Sequence, residues 1–204
     1  MQAVADVMNL ALANLANLNF IQAPGEDSPE GEQMTVRWEL ALEGLLLEHP
    51  WSFAGRSQAL AKLADSAADF TSSGLYYAYP ADCLRIRRVW TAGLERFPLA
   101  FGIGLSEKSG RKAVIVFASG ETILPYALYT TKSVAVPAMP SDFVSALAWR
   151  LAGEIALAKR ADPELANAAM GAYRLALGRA RLHDARERSG RPPPYSKWRE
   201  ARFG

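Results

Sequence analysis

The sequence predicts an α+β protein, consisting of an antiparallel helical bundle with an inserted antiparallel β domain and an extended C-terminal tail. Apolar residues recur at helical spacing towards both ends of the chain, whereas the middle is rich in aromatic and β-branched residues punctuated by proline and glycine. The last residues follow neither pattern. We therefore assign residues 1–70 and 141–190 to the helical bundle, residues 71–140 to the β domain and residues 191–204 to the tail.

The N-terminal part predicts two amphipathic helices and a shorter third helix. The apolar stripe of residues 3–18 has helical spacing, and a second stripe follows the polar loop of residues 24–31. The second helix should end near His49, because the following Pro50 disfavours helical geometry in the residue before it. We expect the third helix at residues 56–64.

The middle of the chain predicts short antiparallel strands. Residues 113–118 and 121–124 flank a Ser-Gly dipeptide at 119–120, which is typical of a two-residue hairpin turn because glycine readily adopts a positive φ. Pro125 lacks an amide N–H, so its strand should lie at a sheet edge or carry a bulge. Two further strands are expected at residues 84–90 and 126–130.

Helical periodicity returns at Ser141, which we expect to act as an N-cap. The apolar stripe that follows should face a core and consists of Phe143, Leu147, Leu151 and Ile155. Asp162 is the expected cap of a long final helix, with Pro163 at its first position and Gly190 beyond its end near residue 188. The apolar side of this helix is mostly alanine, which permits close helix packing.

The formal net charge is only +2, but the two ends of the chain carry opposite charge. The first 50 residues contain eight acidic residues against Arg37 alone, and residues 179–204 contain eight basic residues against three acidic ones. The N-terminal acids are interpreted as solvated helix faces. The C-terminal bases are interpreted as part of a binding segment.

Several features bear on the compartment. No apolar run approaches the ~20 residues that a membrane-spanning helix needs, and residues 1–20 lack the basic start of a secretory signal. The single cysteine, Cys83, excludes an internal disulfide and fits a reducing compartment. We therefore expect a protein without a membrane segment that stays in the cytoplasm where it is made.

The usual signatures of catalysis and of cofactor binding are missing from the sequence. It has no Gly-rich phosphate loop, no His-Glu-x-x-His motif and no Cys/His cluster with metal spacing, and Gly102-x-Gly104 lacks a third glycine. His49 and His183 belong to different helices, and Cys83 is better explained as a small apolar residue at a strand edge than as a nucleophile. We expect no enzymatic activity, no cofactor and no metal.

Three segments form motifs of moderate to weak specificity. Residues 49–54 read HPWSFA, residues 79–86 read YPADCLRI, and residues 143–158 form an alanine-rich helix. In this order and spacing they resemble the tail tubular protein A family, the head-to-tail adaptors of short-tailed bacteriophages. The motif residues that carry the resemblance are Pro50, Trp51, Phe53, Pro80, Asp82, Cys83 and Arg85. The chain departs from the family in residues 91–112 and lacks a glycine before Ile21.

Each motif has a structural role that follows from its residue types. Pro50 should end the second helix, and Trp51 and Phe53 should bury their rings where the chain turns. Asp82 should accept backbone N–H bonds at the turn into the first strand of the β domain. Both motifs are therefore interpreted as core and turn elements.

The resemblance implies a virion structural protein of the tail or neck, made in the cytoplasm of the bacterial host. Similar proteins form a dodecameric ring beneath the portal, close the DNA-filled head and provide the platform for the tail nozzle and fibres. Genomic DNA is ejected through the lumen of that ring. The implied partners are further copies of the chain, the portal protein, and the nozzle and fibre proteins, with no membrane contact.

The tail combines basic and aromatic side chains, whereas a purely solvated segment would have few aromatics. Ordering its 14 residues costs on the order of 1–2 kcal/mol each, more than three buried aromatic rings return at roughly 2–3 kcal/mol each. The prolines at 192–194 and repetition around a ring reduce this difference. We expect the tail to dock on the portal through Arg191, Tyr195, Lys197, Trp198, Arg199, Arg202 and Phe203.

Two other classes of function remain open. A nucleic-acid-binding module is the main alternative, since a basic and aromatic C-terminus can follow a phosphate backbone. The near-neutral total charge and the lack of a groove-reading motif weigh against it. A small helical enzyme is the third reading, and it requires a concave pocket with paired ionisable groups.

Overall fold

The computed structural model describes residues 3–66, 74–94, 97–106, 108–117, 123–157 and 162–188. Within these ranges the fold is mixed α and β, as the sequence predicts, with four α-helices, seven β-strands and one 3-10 turn, Val136–Ala138. Its contacts divide the chain into a helical unit, Met1–Ala41 with Val136–Gly204, and a β unit, Leu42–Ala135. No helix among the described residues combines the length and apolar character needed to cross a membrane.

Helix α1 spans Val4–Asn14 and ends earlier than the apolar stripe predicts. The chain leaves the helix through Ala16, whose φ of 53° is a left-handed conformation that residues other than glycine rarely adopt. Leu18, which belongs to the predicted stripe, is consequently 80% exposed. The Asn9 side chain instead bonds both backbone groups of Ile21 at 2.8 Å, which ties the following loop back to α1.

Helix α2 spans Pro29–Glu48. The Ser28 hydroxyl accepts a 3.1 Å hydrogen bond from the N–H of Gly31, so Ser28 caps the helix and a proline occupies its first position. The polar loop therefore ends at Ser28, before the predicted limit at residue 31. The predicted end of the helix near His49 is confirmed.

Helices α3, Ser141–Ile155, and α4, Pro163–Arg188, pack along each other, and α1 packs on α3. They run antiparallel, because Asp142 at the start of α3 lies 3.1 Å from Nδ1 of His183 near the end of α4. The predicted apolar stripe of α3 is buried at each of its four positions, Phe143, Leu147, Leu151 and Ile155. This stripe is part of the buried core of the helical unit.

The two predicted helix caps have different outcomes. Asp162 is confirmed, because its Oδ1 atom accepts 3.0 Å hydrogen bonds from the N–H groups of Glu164 and Leu165. Ser141 is not the cap of α3, since it is the first helical residue. Pro140, with an extended backbone at φ −59° and ψ 148°, precedes the helix instead.

The β unit contains two antiparallel sheets. Its strands are β1 Gly55–Ala59, β2 Lys62–Ser66, β3 Gly74–Ala78, β4 Cys83–Thr91, β5 Ala100–Leu105, β6 Lys112–Phe117 and β7 Pro125–Thr131. The orders are β1-β7-β4 and β2-β3-β6-β5. The buried residues between them are Leu60, Tyr77, Ile86, Val89, Val114, Val116, Ala127 and Tyr129. The strands predicted at residues 84–90 and 126–130 are therefore confirmed as β4 and β7.

The predicted third helix is wrong, because residues 56–64 contribute to β1 and β2. All five residues of β1 are exposed, and the strand lies at the edge of its sheet, where Gly55 pairs with Thr130. An edge strand with no buried side chains has no alternating apolar pattern, so its structure depends on its pairing with β7. Both strands lie within residues 1–70, which the sequence pattern predicts to be part of the helical bundle.

The predicted hairpin around residues 119–120 is also wrong. Both sides of β6 are occupied along its length by β3 and β5, and Ile123 and Leu124 are not part of a strand. The turn itself lies outside the described residues. Pro125 does not mark an edge, because β7 is the central strand of its sheet and Pro125 is its first residue, a position that needs no amide donor.

Candidate assembly site

Trp51, in the first motif, fills the turn after α2 and is only 1% exposed. Its indole Nε1 donates a 2.9 Å hydrogen bond to the carbonyl oxygen of Leu45, so the polar edge of the ring is satisfied as well. His49 meets the indole edge-on at a centroid distance of 4.8 Å, and Phe53 packs beside it at 6.0 Å. The predicted burial is confirmed for Trp51, whereas Phe53 is only partly buried.

The second motif turns tightly into β4, with the Cys83 N–H donating a 3.0 Å hydrogen bond to the carbonyl oxygen of Pro80. Asp82 reaches well beyond this turn, which corrects the expectation of a purely local capping role. Its carboxylate accepts hydrogen bonds from three side chains of two other strands, namely Arg56 at 2.6 Å, Tyr129 at 2.9 Å and Thr131 at 2.7 Å. The physical reason is the sheet register, which pairs Cys83 with Thr131 and brings Asp82 beside β7.

These contacts set the protonation of the Asp82 site. Burial alone would raise the pKa of Asp82, but hydrogen bonds from Thr131, Tyr129 and its own backbone N–H, with the charge of Arg56, hold that pKa below its ordinary value. Burial and the hydrogen bond to Asp82 raise the pKa of Tyr129 to about 12. At neutral pH the carboxylate is therefore ionised and the phenol protonated, as their hydrogen bond requires.

Two arginines of β4 join the motifs. Arg85 donates from Nη2 to the carbonyl oxygen of Leu47 at the end of α2. Arg87 donates to three acceptors, which are the carbonyl oxygen of Pro50 at 3.1 Å, that of Trp51 at 2.9 Å, and the hydroxyl of Thr130 at 2.9 Å. We call Trp51, Asp82, Arg85 and Arg87 the motif corner. Its charged side chains hold backbone and strands in place.

The motifs in the sequence did not identify Arg87 as a residue of this site. It lies two residues after Arg85, and side chains two apart on a strand point to the same face. That spacing was the available signal, because both arginines are directed towards the chain that leaves α2. The identity of their acceptors could not be read from the sequence, since these are backbone carbonyls more than thirty residues away.

Cys83 lies half-buried at the start of β4. Burial raises the pKa of Cys83, and the neighbouring Asp82 charge acts in the same direction, outweighing the opposing effects of Tyr79 and Lys112. A thiol in this environment is protonated at neutral pH and is a poor nucleophile. Among the described residues, no group of three or more His, Cys, Asp and Glu side chains could hold a metal ion.

The expected docking residues of the tail, from Arg191 to Phe203, lie outside the described residues, as does Gly190. The structure therefore brings together the two motifs but does not bear on the tail. The chain matches no protein-family model, and a search of curated proteins likewise finds no significant match.

Proposed function

We propose that the chain is a structural head-to-tail connector of a tailed-phage virion. Copies of the chain form a dodecameric ring beneath the portal, close the DNA-filled head and provide the platform for the tail nozzle and fibres. Genomic DNA passes through the lumen. In this proposal the helices form an antiparallel bundle that makes the ring wall, and the chain has no catalytic role.

The observation that carries the proposal is the convergence of the two motifs at one corner. Residues 49–54 and 79–86 resemble the adaptor family separately, yet Arg87, on the strand that the second motif opens, bonds the backbone of the first at Pro50 and Trp51. Arg85 of the second motif bonds the carbonyl oxygen of Leu47, two residues before the first. Two short resemblances that arose by chance have no reason to meet in space. The proximity of the two segments instead supports a common structural origin for both.

The hydrogen bonds of the motif corner also make it a rigid junction. The buried Trp51 indole donates its N–H to the carbonyl oxygen of Leu45. The charged Arg85 side chain donates to the carbonyl oxygen of Leu47, in the last turn of α2, where carbonyl groups lack a partner within the helix. Hydrogen bonds from charged donors are stronger than neutral ones. A rigid junction at this point favours a structural role.

The tail provides the direct experiment. Deleting residues 191–204 should leave a folded protein that no longer co-purifies with rings of the portal protein encoded in the same genome. A second variant, with Tyr195, Trp198 and Phe203 replaced by alanine, should also fail to bind while keeping the length and the charge. Portal binding that survives both changes would exclude the tail as the docking element.

The matched control keeps the aromatic residues and alters an exposed base elsewhere. Arg111 lies exposed in the β unit, and Arg111→Ala should bind portal rings as the wild-type protein does. Cryo-EM of the protein bound to portal rings tests the whole assembly. Twelve copies arranged around the portal axis are expected, and a complex without a ring would refute the proposed function.

Nucleic-acid binding is a second candidate, because α4 extends the basic charge of the C-terminus into the described part of the chain. Arg174, Arg179 and Arg186 are exposed on this helix. Binding of the isolated protein to duplex DNA, with an affinity that falls steeply as salt is raised, would favour this function. Retained portal binding without DNA binding would favour the connector.

A further inference from the structure

Helix α4 has an exposed apolar face besides the one packed on α3. The buried face includes Ala169, Tyr173 and Ala176. Leu175 and Leu182, in contrast, are 69% and 53% exposed. A spacing of seven residues places these two leucines on one side of the helix, so they form a continuous apolar stripe facing away from the core.

Two glycines lie on the same stripe, and the fold of a single chain does not explain them. Gly171 and Gly178 precede the two leucines by four residues each, and a Cβ added at either would meet nothing within 4 Å. Each costs helix stability relative to alanine. The glycine of α3, Gly153, is explained differently, because a Cβ there would lie 2.9 Å from the Met170 sulfur.

Basic side chains flank the exposed stripe of α4. Arg179 and Arg186 follow the two leucines by four residues, which places them beside the leucines on the same helix face, and Arg174 lies on the other flank. All three are exposed. Two such faces would bring arginine against arginine, so α4 is not suited to pair with α4 of another copy.

Helix α2 has a face of the opposite charge. Val36 and Leu40, one turn apart, are each 70% exposed. Glu32 and Glu39 are exposed at helical spacing along one flank of this strip, and Arg37 lies on the other flank. The face therefore combines an apolar strip with one acidic flank, which complement the apolar stripe and a basic flank of α4.

We propose that the α4 face of Leu175, Leu182, Arg174 and Arg179 in one copy binds the α2 face of Val36, Leu40, Glu32 and Glu39 in a second copy. The apolar strips bury each other, and the acidic and basic flanks fix partner and orientation. Glycines on α4 let the two helix backbones approach. Because each copy carries both faces, the contact is head-to-tail and continues from copy to copy until a ring closes.

The proposed contact deepens the connector hypothesis and rests on it for the ring, but the contact itself is tested in the free protein. Wild-type protein should associate in sedimentation velocity runs at concentrations up to about 0.3 mM, and association should weaken as ionic strength rises. A monomer throughout that range overturns the inference. Association that is insensitive to salt does so as well.

Charge reversal on each face gives the sharper test. The variant Arg174→Glu with Arg179→Glu should lose association by on the order of tenfold or more, and so should Glu32→Arg with Glu39→Arg, because each then presents two like-charged faces. An equimolar mixture of the two variants should associate again, since the reversed faces complement each other. A mixture that stays monomeric would exclude the α2–α4 pairing.

The controls test whether a loss of self-association is caused by misfolding or by another segment that binds the same face. Arg111→Glu with Lys132→Glu changes the charge by the same amount at exposed positions of the β unit and should associate normally. Circular dichroism checks the fold, and the single changes Arg179→Glu and Glu39→Arg replace any double variant that does not fold. Deleting residues 191–204 should leave self-association intact. If the deletion abolishes self-association, the acidic α2 face binds the tail and not α4.

Portal pull-downs distinguish failure of the two proposals. Wild-type protein that binds portal rings but does not self-associate refutes the α2–α4 contact and leaves the connector hypothesis intact. Self-association that persists while the wild-type protein never binds portal rings leaves the α2–α4 contact intact and refutes the connector. The two results therefore address separate claims.

Discussion

Arg87 donates a 2.9 Å hydrogen bond from Nη2 to the carbonyl oxygen of Trp51. A strand residue thereby holds the turn in which the indole is buried. The same guanidinium also bonds the carbonyl oxygen of Pro50, so the end of α2 and the start of the sheet are joined by one side chain. The stability of the motif corner should depend on both residues.

Replacing Trp51 by alanine should lower the free energy of unfolding by about 3–5 kcal/mol, because the change removes a fully buried ring and leaves a cavity. The control Trp51→Phe keeps most of the apolar volume but loses the hydrogen bond to Leu45, and it should cost about 1–2 kcal/mol. Urea denaturation followed by circular dichroism measures both. A thermal melt of Trp51→Ala that matches wild type contradicts the burial.

Replacing Arg87 by methionine should cost about 1–3 kcal/mol, because two backbone carbonyls and a hydroxyl lose a charged donor. Arg88→Met is the matched control, since that exposed neighbour contacts only the Trp90 ring among the interactions described, at 5.0 Å. It should cost no more than about 1 kcal/mol. If urea denaturation shows that both variants lose the same free energy of unfolding, Arg87 does not stabilise the motif corner.

Asp82 should make stability depend on acid pH. Its folded-state pKa lies below the unfolded value of about 3.9, so its carboxylate stabilises the fold above that value. The contribution is lost as the pH falls through the folded-state pKa. Asp82→Asn should therefore cost about 1–3 kcal/mol at neutral pH, and its difference from wild type should shrink below about pH 4.

Urea denaturation at a series of pH values from neutral to acid measures this difference. Tyr129→Phe is the control, because it removes one donor to Asp82 while leaving the carboxylate in place, so the acid dependence should remain in weaker form. A difference between wild type and Asp82→Asn that stays constant over the whole pH series contradicts the assignment.

Two helical glycines should respond in opposite ways to alanine. Gly178→Ala should stabilise the dilute protein by about 0.5–1 kcal/mol, because the added methyl meets no atom within 4 Å and alanine favours helix. Gly153→Ala should gain nothing or destabilise, because the methyl would lie 2.9 Å from the Met170 sulfur and overpacking costs about 1–3 kcal/mol. Thermal melts of the two variants that rise equally would contradict the close packing of α3 on α4.

The helices were predictable because their signals are local. The stripe from Phe143 to Ile155, the cap at Asp162 and the end of α2 before His49 all depend on residues within one or two turns of each other. Ser141 is not the cap, because Pro140 is the residue with extended backbone geometry directly before the helix. Even for the helices, the terminal residue was predicted less accurately than the presence of the helix.

The strands were harder to predict because their partners are distant in sequence. Residues 55–59 carry no apolar alternation and form a strand only because β7 offers them a free edge. Pro125 sits in a central strand because both β1 and β4 pair with β7. Strand order was therefore not available from the residues of any one strand.

The candidate site was likewise predictable from the sequence only in part. Trp51 was predicted as buried, since a large indole after a helix-ending proline has few other places to go. The three side-chain donors of Asp82 and the role of Arg87 depended on the register of β4 against β7. No spacing within either motif encodes that register.

By itself the sequence determined the helical segments, the buried stripe of α3 and the burial of Trp51, because periodicity and capping act between near neighbours. Only the tertiary structure decided that residues 55–59 form a strand paired with β7. It also decided that Asp82 accepts hydrogen bonds from side chains of β1 and β7. Both depend on which distant segments come together, and the free energy of those contacts resides in pairs that local pattern does not specify.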